Sequence, residues 1–483
     1  MGKIINYNIV FRVLSRILFI VSGSLISCII VALIYSEPVG SFVVSSAISL
    51  ITGFLFHLLV RRVDVGHGPQ RKDAYLTVTL AWLFISLAGT LPYVISGAIP
   101  SFVDAFFESV SGFTTTGASI LTDIEALPLS ILFWRSLTHW IGGIGIIVLV
   151  IVAMHNLKSG GYQLFVLESS LQEKFKPRIK MVGSRLVLIY IILTVAEVIL
   201  LLAGGMSPFE SVCHAFATIS TGGFSPKNSS IAGYSPYIHY VIMVFMLLSG
   251  ANFVVHYFFL KRDFRKVWEK EEFRFYLKVV LIIGIFISAT LFLQMNKPLE
   301  VAFREGFFQV ISIVTCTGFA TADYLQWPQF AWLIIFFAMF LGGSTGSTAG
   351  GIKMARLLVL YKNLTAKFRK MMYPNAIIPV RINHKSISEQ SNSSILSFIN
   401  AYLIVFITVT VILVILGTDF QTSASAVATC MANIGPGIGT IGPVSNFAHL
   451  PEAVKVILSL VMIVGRLEIY TVLVLFTRNY WSR

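Results

Sequence analysis

Long apolar runs, separated by shorter polar and charged segments, make up most of this chain. A helix that crosses a hydrocarbon core of about 30 Å needs roughly 20 residues. Ten apolar stretches come close to that length, near residues 14–35, 43–60, 75–97, 130–153, 187–204, 236–260, 276–294, 328–359, 396–416 and 453–477. This pattern predicts an all-α integral membrane protein with ten transmembrane helices.

The composition agrees with a membrane protein and accounts for the positive charge. Hydrophobic residues make up 56% of the 483 residues, charged residues 12%, and the mean hydropathy is +0.82, which excludes an ordinary soluble domain. When the segments between the stretches are assigned to alternate sides, one side carries 29 of the 36 Lys and Arg. Basic segments stay on the cytoplasmic side. Both termini are therefore expected there, and the net charge of +14 does not require nucleic acid as a partner.

The opposite side is acidic. It carries eleven of the 22 Asp and Glu residues, among them Glu37, Asp104, Glu108, Asp123, Glu125 and Glu210. A surface of this sign attracts cations. The four cysteines show no metal-ligand spacing and lie in or beside apolar sequence, so they are expected to be small buried hydrophobic side chains.

One unit occurs four times along the chain. In each copy an apolar stretch is followed by an acid, a short apolar segment, and then hydroxyl-bearing residues and glycine. The short segments read DAFFESVSGFTTTGAS from Asp104, ESVCHAFATISTGGFS from Glu210, EGFFQVISIVTCTGFA from Glu305 and DFQTSASAVATCMANIGPG from Asp419. Their glycines, which follow the leading acid by 12 to 16 residues, are Gly117, Gly222, Gly318 and Gly435. This regularity predicts four tandem repeats.

Each short segment is predicted to be re-entrant, a half-helix followed by an extended return, because it cannot cross a membrane. An acid at its start suits the positive end of the helix dipole, and the negative ends then point inwards. Threonine and glycine in the return expose backbone carbonyls, the groups that replace the hydration shell of K⁺ in channel filters. A surface turn is the alternative for any single copy, but turns do not require the same position in four repeats.

The stretch GGSTGSTAGGIK, residues 342–353, interrupts the eighth apolar stretch. The ten residues before it, WLIIFFAMFL, extend about 15 Å as a helix, so the interruption is expected near the middle of the membrane. Glycine lets the chain leave the helix, and the hydroxyls can satisfy the freed backbone groups. A small-residue seam for helix packing is the alternative. A phosphate-binding loop is excluded because Ile352 separates Gly351 from Lys353.

Two polar residues lie near the outer end of the fourth stretch. Arg135 and His139 are four residues apart and so share a helix face. Trp134 and Trp140 beside them are typical of membrane interfaces. The favoured interpretation is an anchor at the interface without a role in transport.

With these repeated segments and the glycine-rich stretch, the sequence resembles the Trk/Ktr/HKT superfamily of potassium transporters, and its bacterial Trk-type membrane subunits in particular. The resemblance covers essentially the entire chain. The motifs that carry it are SGFTTTGAS at 111–119, RSLTHWIGGIGIIVL at 135–149, HAFATISTGGFS at 214–225, GGSTGSTAGGIK at 342–353, NIGPGIG at 433–439 and GRLEIYTVLVLF at 465–476.

The resemblance implies four helix/pore-loop/helix repeats around a central pore. Two N-terminal helices occupy residues 1–73, and the repeats occupy 74–160, 161–274, 275–390 with an intramembrane loop, and 391–483. The implied K⁺ filter consists of Thr114, Thr115, Thr116, Gly117, Ile219, Ser220, Thr221, Gly222, Thr315, Cys316, Thr317, Gly318, Ala432, Asn433, Ile434 and Gly435. Glycine at all four final positions favours potassium over sodium. The fourth filter has no hydroxyl next to its glycine, so an asymmetric ring is expected.

The resemblance also implies a gate below the filter. Its expected residues are Gly342, Gly343, Gly346, Ser347, Thr348, Gly350, Gly351, Lys353 and Arg466. A charge in the membrane usually faces a cavity or a partner, although Arg466 as a snorkelling cytoplasmic anchor is the alternative. Glu468 is two residues further on and lies on a different face, so it is expected to have a different partner.

The predicted function is potassium uptake across the bacterial inner membrane, with K⁺ as the transported and filter-bound ion and no organic cofactor. A less selective monovalent cation channel or an alternating-access solute carrier is the alternative. Inverted repeats are common in such carriers, whereas all four repeats here run in the same direction. An enzyme is not expected, because the spans lack paired carboxylates, a metal cluster or an activated nucleophile. The resemblance implies a homodimer and a cytosolic nucleotide-binding regulatory subunit.

Overall fold

The computed structural model describes residues 5–60, 71–156 and 179–481. The chain is predominantly helical there. In chain order the helices are α1 (Tyr7–Ile34), α2 (Gly40–Leu59), α3 (Arg71–Ile95), α4 (Phe102–Phe113), α5 (Leu129–Asn156), α6 (Ile179–Ala203), α7 (Pro208–Ile219), α8 (Pro236–Gly250), α9 (Phe253–Leu260), α10 (Phe264–Trp268), α11 (Glu271–Gln294), α12 (Leu299–Val314), α13 (Gln329–Ala338), α14 (Met354–Met372), α15 (Glu389–Ile415), α16 (Phe420–Ala432), α17 (Glu452–Arg466), α18 (Ile469–Leu473) and α19 (Arg478–Trp481).

A two-residue antiparallel ladder joins β1 (Arg381–Ile382) and β2 (Lys385–Ser386) between α14 and α15. Short 3₁₀ helices cover Tyr324–Gln326, Gly439–Ile441 and Val474–Phe476. The boundary predicted between the first two repeats, at residues 160 and 161, lies outside the described residues. Most of the basic segments 61–73 and 154–185 lie outside them too.

Six helices among the described residues are long and apolar enough to cross a membrane, and the number rises to eight if two bent pairs each count as one span. The six are Tyr7–Ile34, Gly40–Leu59, Lys72–Ile95, Gly183–Ala203, Glu271–Met295 and Glu389–Ile415. Their surfaces carry many exposed Leu, Ile, Val and Phe side chains, as expected of helices in contact with lipid. The helix α5 covers the predicted stretch 130–153.

Three of the ten predicted stretches are not single straight helices. Helices α8 and α9 meet at 108°, and α17 meets Ile469–Phe476 at 113°. The first bend is capped by Asn252, whose side chain accepts from the Val254 N–H (2.9 Å). The second contains Glu468 with φ +60°. The third stretch, 328–359, is broken between Ala338 and Met354, as the glycine-rich sequence predicts.

Four helices are too short to span: α4, α7, α12 and α16 have 12, 12, 16 and 13 residues. Ser101, Ser207 and Asp419 cap three of them by accepting from a backbone N–H three residues on. The acid predicted to begin the third, Glu305, instead lies within α12, which starts at Leu299. That prediction was wrong because the helix begins six residues before Glu305, with Glu300 as the acid of its first turn.

The core has two main parts. One joins α4, α5, α16 and α17, and the N-terminal helix α1 packs against it. The other joins α8, α11, α12 and α13. The cysteines Cys28, Cys213, Cys316 and Cys430 are free and buried, which confirms the prediction that they are small hydrophobic side chains.

Glu37, between α1 and α2, connects these two helices to α5. The Glu37 carboxylate accepts from the N–H groups of Leu129 (2.7 Å) and Ser130 (2.9 Å) at the N-terminus of α5. Replacing Glu37 with Gln leaves one acceptor oxygen and no charge at the positive helix end. We expect a loss of about 1 kcal/mol, visible as a lower melting temperature of the detergent-solubilised protein. Glu269→Gln is the control, since Glu269 pairs with an exposed arginine. Equal melting temperatures for both variants would contradict this assignment.

Candidate functional site

The C-terminal ends of α4, α7, α12 and α16 lead into four segments with the same backbone conformation. We name them return segments 1 (residues 114–117), 2 (220–223), 3 (315–318) and 4 (432–435). The second residue of each is left-handed: Thr115 (φ 52°), Thr221 (57°), Cys316 (59°) and Asn433 (55°). The fourth is a glycine with positive φ: Gly117 (80°), Gly223 (79°), Gly318 (83°) and Gly435 (101°).

Return segment 2 differs by one residue from the predicted register. Its positive-φ glycine is Gly223, whereas the sequence pattern predicts Gly222 at that position. The predicted filter residue Ile219 is the last residue of α7. The hydrogen bonds agree with this correction. The third residue of each segment donates its N–H to the carbonyl five positions earlier, in the pairs Thr116 to Ser111 (2.9 Å), Gly222 to Ala217 (2.8 Å), Thr317 to Ser312 (2.8 Å) and Ile434 to Thr429 (2.9 Å).

The four glycines pack against neighbouring segments in a closed cycle. A Cβ atom on Gly117 would lie 2.1 Å from the Gly222 carbonyl oxygen in segment 2. The same position on the other glycines would meet the next carbonyl in turn: Gly223 and Thr317 (1.9 Å), Gly318 and Ile434 (1.9 Å), and Gly435 and Thr116 (2.8 Å). Because the obstructing atoms are backbone oxygens, a side chain at these positions has no space. The cycle joins segments 1, 2, 3, 4 and 1 again.

The hydroxyl groups follow a twofold pattern within this cycle. In segment 1 the hydroxyls of Thr114 and Thr116 are 2.7 Å apart, and in segment 3 those of Thr315 and Thr317 are 2.8 Å apart. Segments 2 and 4 have Gly222 and Ile434 at the third position. In segment 4 the Asn433 amide donates across the cycle to the Thr116 hydroxyl (2.9 Å). The expected asymmetry is present, and it affects alternate segments.

The stretch 342–353, which we name the glycine loop, is closed at its base. The Gly342 N–H donates to the Ile352 carbonyl (2.9 Å), and the Ile352 N–H donates to the Phe340 carbonyl (3.3 Å). Most of its residues are buried. These bonds pair part of the polar backbone that is released by the end of α13, as buried backbone requires.

One side of the glycine loop packs into the bend between α8 and α9. The Ser344 N–H donates to the Gly250 carbonyl (2.8 Å), and the Gly346 carbonyl accepts from the Phe253 N–H (3.2 Å). The Thr348 hydroxyl donates to the Ile219 carbonyl at the end of α7 (3.1 Å). These contacts place the loop directly beside return segment 2.

The other side of the glycine loop lies against α16 and α17. Arg466, at the end of α17, donates from Nη1 to the Thr348 carbonyl (2.7 Å). A Cβ atom on Gly350 would lie 2.1 Å from the carbonyl oxygen of Ala432, the last residue of α16. Lys353 donates to the Ala349 carbonyl within the loop. The predicted gate residues therefore form one contiguous group that touches the ends of two half-helices.

Arg466 and Glu468 have separate partners, which confirms that prediction. Glu468 accepts from Arg356 (2.8 Å), and the Arg356 guanidinium lies over the Phe398 ring at 3.8 Å. Arg466 is only 5% exposed. The snorkelling alternative for Arg466 is therefore wrong.

Sequence reasoning missed one residue that holds the loop. Glu272, fully buried near the start of α11, accepts at Oε1 from the N–H groups of Thr345 (2.6 Å) and Ala355 (3.0 Å). It thus ties the loop to the N-terminus of α14. The available signal, an acid in the first turn of a helix, is common to many helices.

Arg135 does not anchor at an interface. It is 2% exposed and pairs with buried Glu108 (2.6 Å), while Trp134 and His139 are fully buried. Periodicity placed Arg135 and His139 on one face, but it does not show that this face points into the protein.

Many of the acids predicted to make one surface negative are paired. Lys455 binds Asp104 (2.5 Å), and Lys227 binds Glu210 (3.2 Å), an interaction that raises the pKa of Lys227. Lys297 pairs with Glu305. The field at this surface is therefore weaker than the count of acids suggests. Within the described ranges, no group of three or more His, Cys, Asp or Glu side chains is arranged to hold a metal ion.

The register of return segment 2 can be tested with two alanine substitutions. A Cβ on Gly222 would meet the His139 ring (2.3 Å to Nδ1), whereas a Cβ on Gly223 would meet the Thr317 backbone oxygen (1.9 Å). Both single variants are expected to lose folded protein. Adding His139→Ala should recover Gly222→Ala, but adding Thr317→Ala should not recover Gly223→Ala, because the carbonyl remains. The measurement is the yield of monodisperse protein relative to His139→Ala and Thr317→Ala alone. Recovery of both double variants, or of the Gly223→Ala double variant only, would favour Gly222 as the fourth residue of segment 2.

Comparison with known proteins extends over nearly the whole chain. A family model described as "Cation transport protein", TrkH, matches residues 46–483. The chain is 35% identical to the Trk system potassium uptake protein TrkH of Salmonella typhimurium, and equally to that of Escherichia coli, over 485 residues covering 99% of each chain. The crystal structure of the potassium transporter TrkH from Vibrio parahaemolyticus matches with a TM-score of 0.91 at 31% identity, covering 99% of this chain and 100% of that one. The chain belongs to the TrkH family of cation transport proteins.

Proposed function

We propose that the protein mediates potassium uptake across the bacterial inner membrane through a pore lined by the four return segments. The observation that carries this proposal is the closed cycle in which each positive-φ glycine packs on a carbonyl of the next segment. Such a cycle brings backbone oxygens from four chain segments together, and rings of carbonyls are the groups that replace the hydration shell of K⁺. The relatives named as potassium uptake proteins support the choice of ion.

The half-helices contribute to cation binding by their orientation. Each return segment follows the C-terminal end of a half-helix, which carries a partial negative charge. Four such ends converge on the cycle. The filter is then formed by residues 114–117, 220–223, 315–318 and 432–435, with two N-terminal helices before residue 74 and the four repeats in the order inferred from the sequence. K⁺ is the transported ion, and no organic cofactor takes part.

The glycine loop is the gate of this pore. It touches the last residues of α7 and α16, from which return segments 2 and 4 emerge. Arg466 holds it at Thr348 and Glu272 holds it at Thr345. Ions that pass the filter meet this loop next, so its displacement is required for flux.

The remaining assignments rest on the positive-inside pattern and on the relatives. Both termini lie in the cytoplasm, and the protein acts as a homodimer with a cytosolic nucleotide-binding regulatory subunit. Support for a multi-component assembly comes from the relatives' description as parts of a Trk system. A less selective monovalent cation channel is the alternative, because segments 2 and 4 lack a hydroxyl at the third position.

The selectivity claim is tested by ion flux into proteoliposomes with graded K⁺, Rb⁺ and Na⁺. We expect K⁺ and Rb⁺ to pass much better than Na⁺. Gly117→Ser forces a side chain into a φ of 80° and onto the Gly222 oxygen, which displaces segment 1. In the protein that still folds, the K⁺/Na⁺ flux ratio should fall about tenfold, a difference of about 1.4 kcal/mol between the two ions.

Gly97→Ser is a matched control, since Gly97 has a φ of 73° and open space where a Cβ would be. It carries the same substitution and similar strain away from the return segments. Equal Na⁺ and K⁺ flux through the unaltered protein would refute potassium selectivity. An unchanged ratio in Gly117→Ser would remove segment 1 from the filter.

The gate is tested by deleting residues 346–350, which leaves the Thr345 and Ala355 anchors to Glu272 in place. Flux should increase because the obstructing part of the loop is removed. Arg466→Gln should also raise it, by about tenfold, since it removes a charge-assisted hydrogen bond to Thr348. Glu468→Gln is the control, because its partner is Arg356. Unchanged or abolished flux in correctly folded deletion protein would show that the loop does not obstruct the pore.

A further inference from the structure

A buried arginine connects the two stretches of chain that directly follow return segments 1 and 2. Arg135, on α5, donates from Nε to Glu108 (2.6 Å), from Nη1 to the Ser225 carbonyl (3.0 Å) and from Nη2 to the Ser119 hydroxyl (3.1 Å). Ser119 and Ser225 each follow the glycine of their return segment by two residues. One guanidinium therefore spans the exits of two neighbouring segments.

Glu108 completes the connection on the side of segment 1. Besides Arg135, its carboxylate accepts from the Ser119 hydroxyl (3.0 Å) and the Ile120 N–H (3.0 Å). Glu108 precedes the segment's glycine by nine residues, so it ties the half-helix to the chain that returns from it. His214 has the equivalent position before segment 2, and its Nε2 bonds to the Ser225 hydroxyl (3.0 Å). The two segments are held in the same way, and Arg135 links them.

The aromatic ring next to segment 2 is held by the same helix face. Phe224 directly follows Gly223, and the Arg135 guanidinium lies 3.7 Å from its ring centroid. The His139 ring stacks on Phe224 at 4.0 Å with an interplanar angle of 14°. A planar guanidinium can stack and donate to three groups together, which a lysine ammonium cannot do.

Segments 3 and 4 are built differently. The residues nine positions before their glycines are Gln309 and Ala426, neither of which carries a charge. A buried ion pair contributes little net stability, because desolvation of both charges offsets their attraction. The pair at segments 1 and 2 is therefore better explained by the geometry it imposes than by stability.

We propose that Arg135 and Glu108 are positioning residues that fix the separation of return segments 1 and 2 and thereby set the preference for K⁺ over Na⁺. This inference rests on the proposed function of the return segments as the filter. The spacing of neighbouring segments affects the size of the carbonyl ring, and ring size is one of the properties that distinguish K⁺ from Na⁺. A rigid link between the two segments keeps the spacing of their carbonyls from shrinking around a smaller ion.

The test is the K⁺/Na⁺ flux ratio and the half-saturating K⁺ concentration in proteoliposomes. Arg135→Lys keeps the charge beside Glu108 but cannot reach both serines, so the ratio should fall about tenfold, the effect of one charge-assisted hydrogen bond. The double variant Glu108→Met with Arg135→Met leaves no unpaired charge and is expected to fold, with a similar loss. Ser119→Ala removes one acceptor while both charges stay paired, and its ratio should fall by a smaller factor.

Arg265→Lys is the matched control, because Arg265 pairs with Glu269 on an exposed surface; its ratio should equal that of the unaltered protein. If Arg135→Lys does not fold, the double variant and Ser119→Ala decide. Variants that fold with an unchanged ratio and unchanged half-saturation would overturn the inference while the unaltered protein still prefers K⁺. An unaltered protein without that preference would instead overturn the proposed function, and this inference with it.

Discussion

The architecture depends on four places where one backbone approaches another too closely for any side chain. The glycines of the return segments face carbonyl oxygens of the next segment at distances that leave no space for a Cβ, and their φ values favour glycine independently. Both constraints act at the same four positions. Because each segment contacts the next in a closed cycle, a displacement of one must be transmitted to the others.

Close approach also determines how the glycine loop is held. Leaving the helix at Ala338 releases backbone groups in a buried part of the protein, where they need hydrogen-bond partners. The partners come from different parts of the chain: Gly250 and Phe253 at one bend, Arg466 at another, and Glu272 at the start of α11. The bends between α8 and α9 and between α17 and α18 therefore accommodate the loop. The chain at these bends supplies its hydrogen-bond partners and leaves the space that the loop occupies.

The sequence predicted the features that depend on local composition. Apolar length predicted the helices, and four similar segments predicted four short helices followed by glycine. The position of the loop followed from its glycines. The sequence did not predict features that depend on contacts with residues from distant parts of the chain. Gly222 and Gly223 are indistinguishable as adjacent letters, and the register is shown only by the positive φ of Gly223 and the hydrogen bond from Gly222 to Ala217. Arg135 beside two tryptophans has the pattern of an interface anchor, whereas its partners Glu108 and Ser225 lie 27 and 90 residues away.

The two kinds of link around the cycle have different mechanical consequences. Contacts between a glycine and a carbonyl set a minimum separation, because they resist compression but do not resist pulling apart. Arg135 and Glu108 constrain segments 1 and 2 in both directions, since their hydrogen bonds resist extension and the guanidinium packed between the segments on Phe224 resists compression. The Asn433 amide resists extension between segments 4 and 1 through Thr116. Segment 1 is thus held from both sides by side-chain hydrogen bonds. The chain beyond segments 2 and 3 is linked as well, because the Ile231 N–H donates to the Ala320 carbonyl (3.1 Å). Extension is therefore resisted at several points of the ring.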